Sequence, residues 1–377
     1  MVLPGIHSIL HGWILGLFLV IPGVWGQTPG QTPKRAVSDA DRAVSLYEKG
    51  DLHSACRMFR ELGSRQPSNP LPHLYLLGCA IDGRRQPAIR EEREALLRLA
   101  PKGAPAYAMA GAWLASGGYC AEAGEAFAMA EPPREAGAFE FVLAQCYQDS
   151  GDIRRAQEEY RRALGLNPGK EEYSLSLSFL LTAIGDTEGA GKVLVDAVKR
   201  RPQSPRILVA MSLLHLELGY PDRARIGYEK ARAIDPESPM VWKLLGRIQN
   251  GEGHYEDAVK SFEHAATLDP KDAQVPLFMG MALARIEGRT DQALATFLHA
   301  LELDPTLTEA RFQAAAIYFQ NKEDYTNAAT QLERVIAAVP GHVHARQLLV
   351  QAYYRLGWKD KASAEQKKLR EFTDRGK

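Results

Sequence analysis

Few strings in this chain have the residue types and spacing that chemistry needs, and each fails a requirement of its own chemistry. Residues 185–193 (GDTEGAGKV) look like a phosphate-cradling loop, in which backbone amides and a lysine would hold a polyphosphate. One residue too many separates Gly185 from Gly191, and Val193 stands where a metal-binding hydroxyl is required. Residues 251–253 (GEG) open like a dinucleotide-binding fingerprint, yet Glu256 occupies the place of the third glycine and no strand precedes it. His342 and His344 could share a metal, but they sit where two of the units described below meet, and that position accounts for them without one. Cys56, Cys79, Cys120 and Cys146 match no zinc spacing, and neither HExxH nor GxSxG occurs. No catalytic residue, metal or cofactor is therefore expected, and the chain reads as something other than an enzyme.

The elements that would have to position such residues are more informative. Lys and Arg together number 46, as do Asp and Glu, so no bulk positive field draws the chain to nucleic acid or anionic lipid. Apolar residues at 45% with abundant alanine suit a folded, helix-rich protein. Pro168, Pro202, Pro236 and Pro270 are spaced 34 residues apart, with Pro67, Pro101, Pro305 and Pro340 extending the series. An alanine column keeps the same ruler: Ala55, Ala88, Ala123, Ala156, Ala190, Ala224, Ala258, Ala293, Ala328 and Ala362. A fixed period of this length means stacked supersecondary units.

Each unit, for example residues 239–270 (PMVWKLLGRIQNGEGHYEDAVKSFEHAATLDP), holds two amphipathic helices around a glycine. Proline lacks an amide donor and pushes its predecessor out of the α region, so Asn167, Asp235, Asp269 and Asp304 should end their helices. Gly118, Gly151, Gly185, Gly219, Gly253, Gly288 and Gly357 sit where the chain must reverse. A column of small residues (Gly78, Gly111, Ser178, Ser212, Gly246, Gly280) lets helices approach closely. A column of large ones (Phe59, Phe127, Tyr160, Tyr228, Phe262, Phe297) should fill the space between successive hairpins. Irregular loops are expected at residues 83–87, near Pro132 and Pro133, and at 286–288 and 322–324.

This pattern resembles the tetratricopeptide repeat, most closely in residues 239–270 through Trp242, Leu245, Gly246, Ala258, Phe262, Ala265 and Pro270. The resemblance implies an all-α fold, a right-handed α-α superhelix of about ten helix-turn-helix repeats over residues 36–376. The repeats begin near Ala36, Pro70, Ala104, Gly137, Glu171, Pro205, Pro239, Ala273, Thr308 and Val343. Hairpins of this kind bury their apolar faces only on neighbours, so the last helix (residues 360–372, DKASAEQKKLREF) reads as a polar cap.

In the family that the chain resembles, the first helix of each hairpin lines a concave groove. Stripes at steps of three or four carry that role onto Phe141, Gln145, Leu175, Phe179, Arg206, Leu213, Lys243, Arg247, Asn250, Met281, Arg285, Phe312, Phe319 and Tyr354. The face is mixed apolar and cationic, which suits an extended or helical peptide with apolar anchors and some acidic character. The family's clamp for chaperone tails is not expected, because Lys243 stands without the asparagines that such a clamp requires. The expected role is a protein-interaction scaffold, without nucleic-acid or small-molecule substrates. A permanent structural or assembly subunit of an envelope complex, or an accessory subunit of an enzyme, is the alternative.

By position, Cys56 and Cys79 lie on the second helix of one hairpin and the first helix of the next, as do Cys120 and Cys146. Two bridges between consecutive hairpins or four small buried thiols would both fit. Residues 1–26 contain no Lys, Arg, Asp or Glu, and their apolar run WILGLFLVI is followed by Pro22 and a small-residue site ending at Gly26. This reads as an export signal, with residues 27–35 (QTPGQTPKR) as a flexible leader. The run is short of the roughly 20 residues that span a bilayer, so membrane attachment would come only through a signal left uncleaved. A periplasmic or extracellular protein is the expectation, with a membrane anchor as the alternative.

Overall fold

The computed structural model describes residues 38–375, and the expected signal and leader lie outside them. Within the described residues the chain forms twenty α-helices that follow one another in ten consecutive pairs. The first four are α1 (Asp39–Glu48) with α2 (Leu52–Arg65), α3 (Pro70–Asp82) with α4 (Gln86–Leu99), α5 (Pro105–Ser116) with α6 (Cys120–Met129), and α7 (Ala138–Asp149) with α8 (Ile153–Leu166). Then follow α9 (Glu171–Ala183) and α10 (Thr187–Arg200), α11 (Pro205–Glu217) and α12 (Pro221–Ile234), and α13 (Pro239–Gly251) and α14 (Tyr255–Leu268). The last three pairs are α15 (Gln274–Leu283) with α16 (Thr290–Leu303), α17 (Thr308–Gln320) with α18 (Tyr325–Ala338), and α19 (Val343–Arg355) with α20 (Lys359–Arg375). No strand occurs among the described residues, and the fold class is all-α. The chain divides into two compact units, the first ending at Leu181 and the second beginning at Thr182.

Local chemistry sets the boundaries of these helices. Asn167, Asp235, Asp269 and Asp304 close α8, α12, α14 and α16 in non-helical conformations, each immediately before a proline. Within hairpins the reversal uses a left-handed residue followed by a cap. Gly185 takes φ +82°, and the Asp186 carboxylate accepts the Gly189 amide at 2.8 Å to start α10. The phosphate-loop lookalike is thus a hairpin turn. Arg84 and Glu323 hold positive φ angles of 50° and 49° without being glycine, and they fall in two of the loops expected to be irregular.

The two size columns meet directly. A Cβ built on Gly246 would lie 2.6 Å from the Phe262 ring, on Gly111 2.6 Å from Phe127, and on Gly280 2.7 Å from Phe297. Glycine in the first helix therefore seats the ring from the second helix of the same hairpin. The ring then reaches the next hairpin: Phe59 stacks on Tyr75 at 4.5 Å, Phe127 on Phe139 at 4.3 Å and Phe262 on Phe278 at 6.2 Å. Burying each such side chain is worth about 1.5–3 kcal/mol, and part of that is available only when the neighbouring hairpin is docked. The alanine column is fully buried at Ala55, Ala123, Ala156, Ala190, Ala224, Ala258, Ala293, Ala328 and Ala362, where any larger residue would push the helices apart.

Two disulfides add to the first unit. Cys56 on α2 is joined to Cys79 on α3, and Cys120 on α6 to Cys146 on α7, with Cα–Cα separations of 6.1 and 5.7 Å. Each ties the second helix of one hairpin to the first helix of the next. Closing loops of 23 and 26 residues restricts the unfolded chain, worth about 3 kcal/mol per bridge in the chain-entropy account.

Candidate binding face

Within each unit the first helices of successive hairpins touch one another: α3 with α5 and α5 with α7 in the first, and α11, α13, α15, α17 and α19 in sequence in the second. The second helices α2, α6, α12, α14, α16 and α18 each pack against a first helix on either side, and the touching first helices form one wall in each unit. The stripe residues project from those walls, but they are not equally available.

In the first unit, Phe141 on α7 is half-buried between the rings of Tyr160 at 5.6 Å and Tyr173 at 4.9 Å. Gln145, one turn further on, is exposed. On α9, Leu175 is half-buried while Phe179 is 69% exposed, the most exposed large apolar side chain described. Tyr173 donates its hydroxyl to Glu135 at 2.9 Å, and Lys170 reaches the other oxygen of that carboxylate at 2.7 Å. Burial, with the Glu135 carboxylate adding to it, holds the Tyr173 hydroxyl protonated far above the ordinary tyrosine range.

In the second unit the stripe divides into residues that are engaged and residues that are not. Lys243 is committed to Asp272 at 2.5 Å, both side chains being about four-fifths covered. Leu213, Met281, Phe312 and Phe319 are half-buried and spend part of their surface on the hydrophobic clusters of their own unit. Phe312 lies 4.9 Å from the His342 ring, and Phe319 meets Tyr325 edge-on at 5.3 Å. Tyr354 is exposed at its ring but donates its hydroxyl to Gln366 on α20. Arg206 is exposed. Arg285 is exposed and lies over the Tyr255 ring at 5.6 Å.

Arg247 and Asn250 on α13 are the exceptions. Arg247 is half-buried with its guanidinium over the Phe278 ring of α15 at 4.8 Å, and no carboxylate sits within ion-pair distance of it among the described residues. Burial lowers its pKa, partly offset by the more distant charge of Glu217. Asn250, one turn later on the same face, is half-buried with an Oδ1 that has no hydrogen-bond partner. A desolvated cation and an unmatched acceptor thus stand side by side on a helix that stays largely apolar around them.

One recurrent device was not among the features read from the sequence. Trp242 donates its indole N–H to the Pro236 carbonyl at 2.9 Å, Arg311 a guanidinium N–H to Pro305 at 2.6 Å, and Arg346 one to Pro340 at 2.8 Å. In each case the fourth residue of a first helix grips the carbonyl six residues back, which fixes the loop entering the hairpin. The signal for it was a donor-bearing side chain at a constant offset from the proline column, in residue types as different as Trp and Arg. His342 has a comparable role, since its Nδ1 accepts the Ala345 amide at 3.1 Å and caps α19.

Residues 141–205 and 314–374 match the tetratricopeptide repeat family, and residues 205–248 and 241–272 match two further descriptions of the same repeat. Together these cover about half of the sequence, and the chain belongs to the tetratricopeptide repeat family. It is similar to the protein O-mannosyl-transferase TMTC1 of Mus musculus, at 27% identity over 200 residues covering 43% of this chain and 21% of that protein. It is also similar to the TPR repeat-containing protein YpiA of Bacillus subtilis, at 22% identity over 314 residues covering 80% of this chain and 72% of YpiA. Yeast Tom70 has a similar fold, with a TM-score of 0.52, 16% identity, and coverage of 94% of this chain and 69% of Tom70. The chain spans only about a fifth of the length of TMTC1. Tetratricopeptide repeat proteins generally mediate protein–protein interaction, and the fold points to a non-catalytic repeat protein.

Proposed function

We propose that this protein is an exported interaction scaffold, not an enzyme, which binds an acidic peptide segment with apolar anchors on the first-helix wall of its second unit. Arg247 carries the reading. A guanidinium that has given up much of its water without gaining a carboxylate has an unmet electrostatic demand, and an incoming Asp, Glu or terminal carboxylate would meet it. Asn250 supports the same reading, because its buried Oδ1 can accept a peptide N–H three residues along the same face. Half-buried Leu213 and Met281 on the neighbouring first helices supply apolar surface beside them. Lys243 contributes less, because Asp272 already holds it.

Export belongs to this proposal. Two disulfides persist in an oxidising compartment and not in a reducing cytosol, and the uncharged, apolar first 26 residues suit a signal.

An array of random peptides probed with the full chain tests the binding reading. Peptides with carboxylates beside apolar residues should be retained, and Arg247→Gln should weaken them about 10–100-fold while circular dichroism stays unchanged. Phe179→Ala, in the first unit, should leave that set unaltered. Retention that ignores peptide charge, or survives Arg247→Gln, would overturn the placement.

A further inference from the structure

The two disulfides stand in different surroundings. Cys120 and Cys146 belong to the packed apolar cluster that also holds Leu114, Phe127 and Leu143. Cys56 and Cys79 instead line an open pocket of about 450 Å³ between α2 and α3. Its other walls carry Arg57, Arg60 and Arg85 together with His53, against one carboxylate, Asp82. That carboxylate accepts the Tyr47 hydroxyl at 3.4 Å. Arg85 donates to the Cys79 carbonyl at 3.4 Å, which keeps a guanidinium beside that end of the bridge. Cys56 is the more exposed partner, at 9% against 4%.

We propose that Cys56–Cys79 is an exchangeable disulfide that reacts with small anionic thiols, and that Cys120–Cys146 is inert. A thiol that carries carboxylates is drawn to the arginine-lined pocket, where its thiolate attacks the Cys56 sulfur. An S–S bond forms between the thiol and Cys56 as the original bond breaks, and Cys79 leaves as a thiolate. The guanidiniums stabilise that leaving charge, which is the usual way a cysteine is made a better leaving group. A second thiol then attacks the mixed disulfide. The products are one small-molecule disulfide and the two protein thiols, so two electrons pass from two thiols to the bridge and the thiolates take up protons from water. Phe59 stacked on Tyr75 keeps α2 and α3 packed together when the bridge is open, so exchange uncouples the covalent tie without undocking the hairpin.

The test uses the full chain, purified without reductant and exposed to reduced glutathione or to 2-mercaptoethanol at matched thiolate concentration and low salt. Timed samples are alkylated and mapped by mass spectrometry. Cys56 and Cys79 should label at least about tenfold faster than Cys120 and Cys146, with the anionic thiol faster than the neutral one. Arg57→Ala with Arg60→Ala, both at exposed positions, should remove the advantage of the anionic thiol while Cys120–Cys146 stays closed. Equal opening of the two bridges, an anionic advantage that survives the double substitution, or free thiols in the untreated protein would each overturn the proposal.

Discussion

The last hairpin is held by a contact whose energy can be worked from its burial. Arg346 on α19 is only 4% exposed and pairs with Glu365 of α20, itself 15% exposed, while its other N–H group donates to the Pro340 carbonyl. Glu365 also takes Lys368 at 2.7 Å on its outer oxygen. Glu365→Ala takes the Glu365 charge away from a buried guanidinium, which costs about 3–5 kcal/mol. Replacing both partners, as Arg346→Met with Glu365→Leu, takes away the charge and its demand together and should return stability to near the starting value. In a repeat array each hairpin leans mainly on its neighbours, so the loss should stay local. Hydrogen exchange should therefore speed up by about two to four orders of magnitude in α19 and α20 for Glu365→Ala, with α13 and α14 unchanged. The assay is exchange followed by mass spectrometry on all three proteins, with urea unfolding alongside it. A loss below about 1 kcal/mol, a double variant as weak as the single one, or faster exchange spread evenly over the chain would refute the reasoning.

Three further outcomes follow from particular residues. Gly246→Ala places a methyl 2.6 Å from the fully buried Phe262 ring and should cost about 1–3 kcal/mol, recovered in part by Phe262→Leu. Gly185→Ala meets open space but must hold φ +82°, so it should cost about 1–2 kcal/mol that no neighbouring substitution recovers; thermal unfolding of both sets separates crowding from backbone strain. Burial, helped by Arg223, lowers the pKa of His215 below its ordinary 6.5, so the unfolded chain binds more protons than the folded one near that pH. Stability should then rise as pH increases up to about 6.5 and level off above, and His215→Gln should flatten that limb of the melting-temperature profile. A limb that stays as steep in the variant would assign it to other groups.

How much was legible in the sequence depends on how far apart the interacting residues are. The period, the helix ends at Asn167, Asp235, Asp269 and Asp304, and the turn at Gly185 all follow from chemistry within a few residues. Such signals survive without knowledge of any neighbour, because proline and glycine act on their own backbone. The columns of small and large residues were also readable, though the seating of Phe262 on Gly246 of its own hairpin was not.

The candidate binding face was less legible for a related reason. Spacing by three or four places Lys243, Arg247 and Asn250 on one stripe and makes them look equivalent. Lys243 is nonetheless closed by Asp272, and Arg247 rests on Phe278, because those partners lie about 30 residues on, in the next hairpin. Phe312 is likewise covered by His342. The amino-acid sequence alone determined that the chain would be a run of helical hairpins, since turn and cap chemistry is local. Which stripe residues are spent on neighbours, and which keep an unmet charge or acceptor, was decided only when one hairpin packed against the next, because that outcome depends on side chains meeting across a junction whose geometry no local signal specifies.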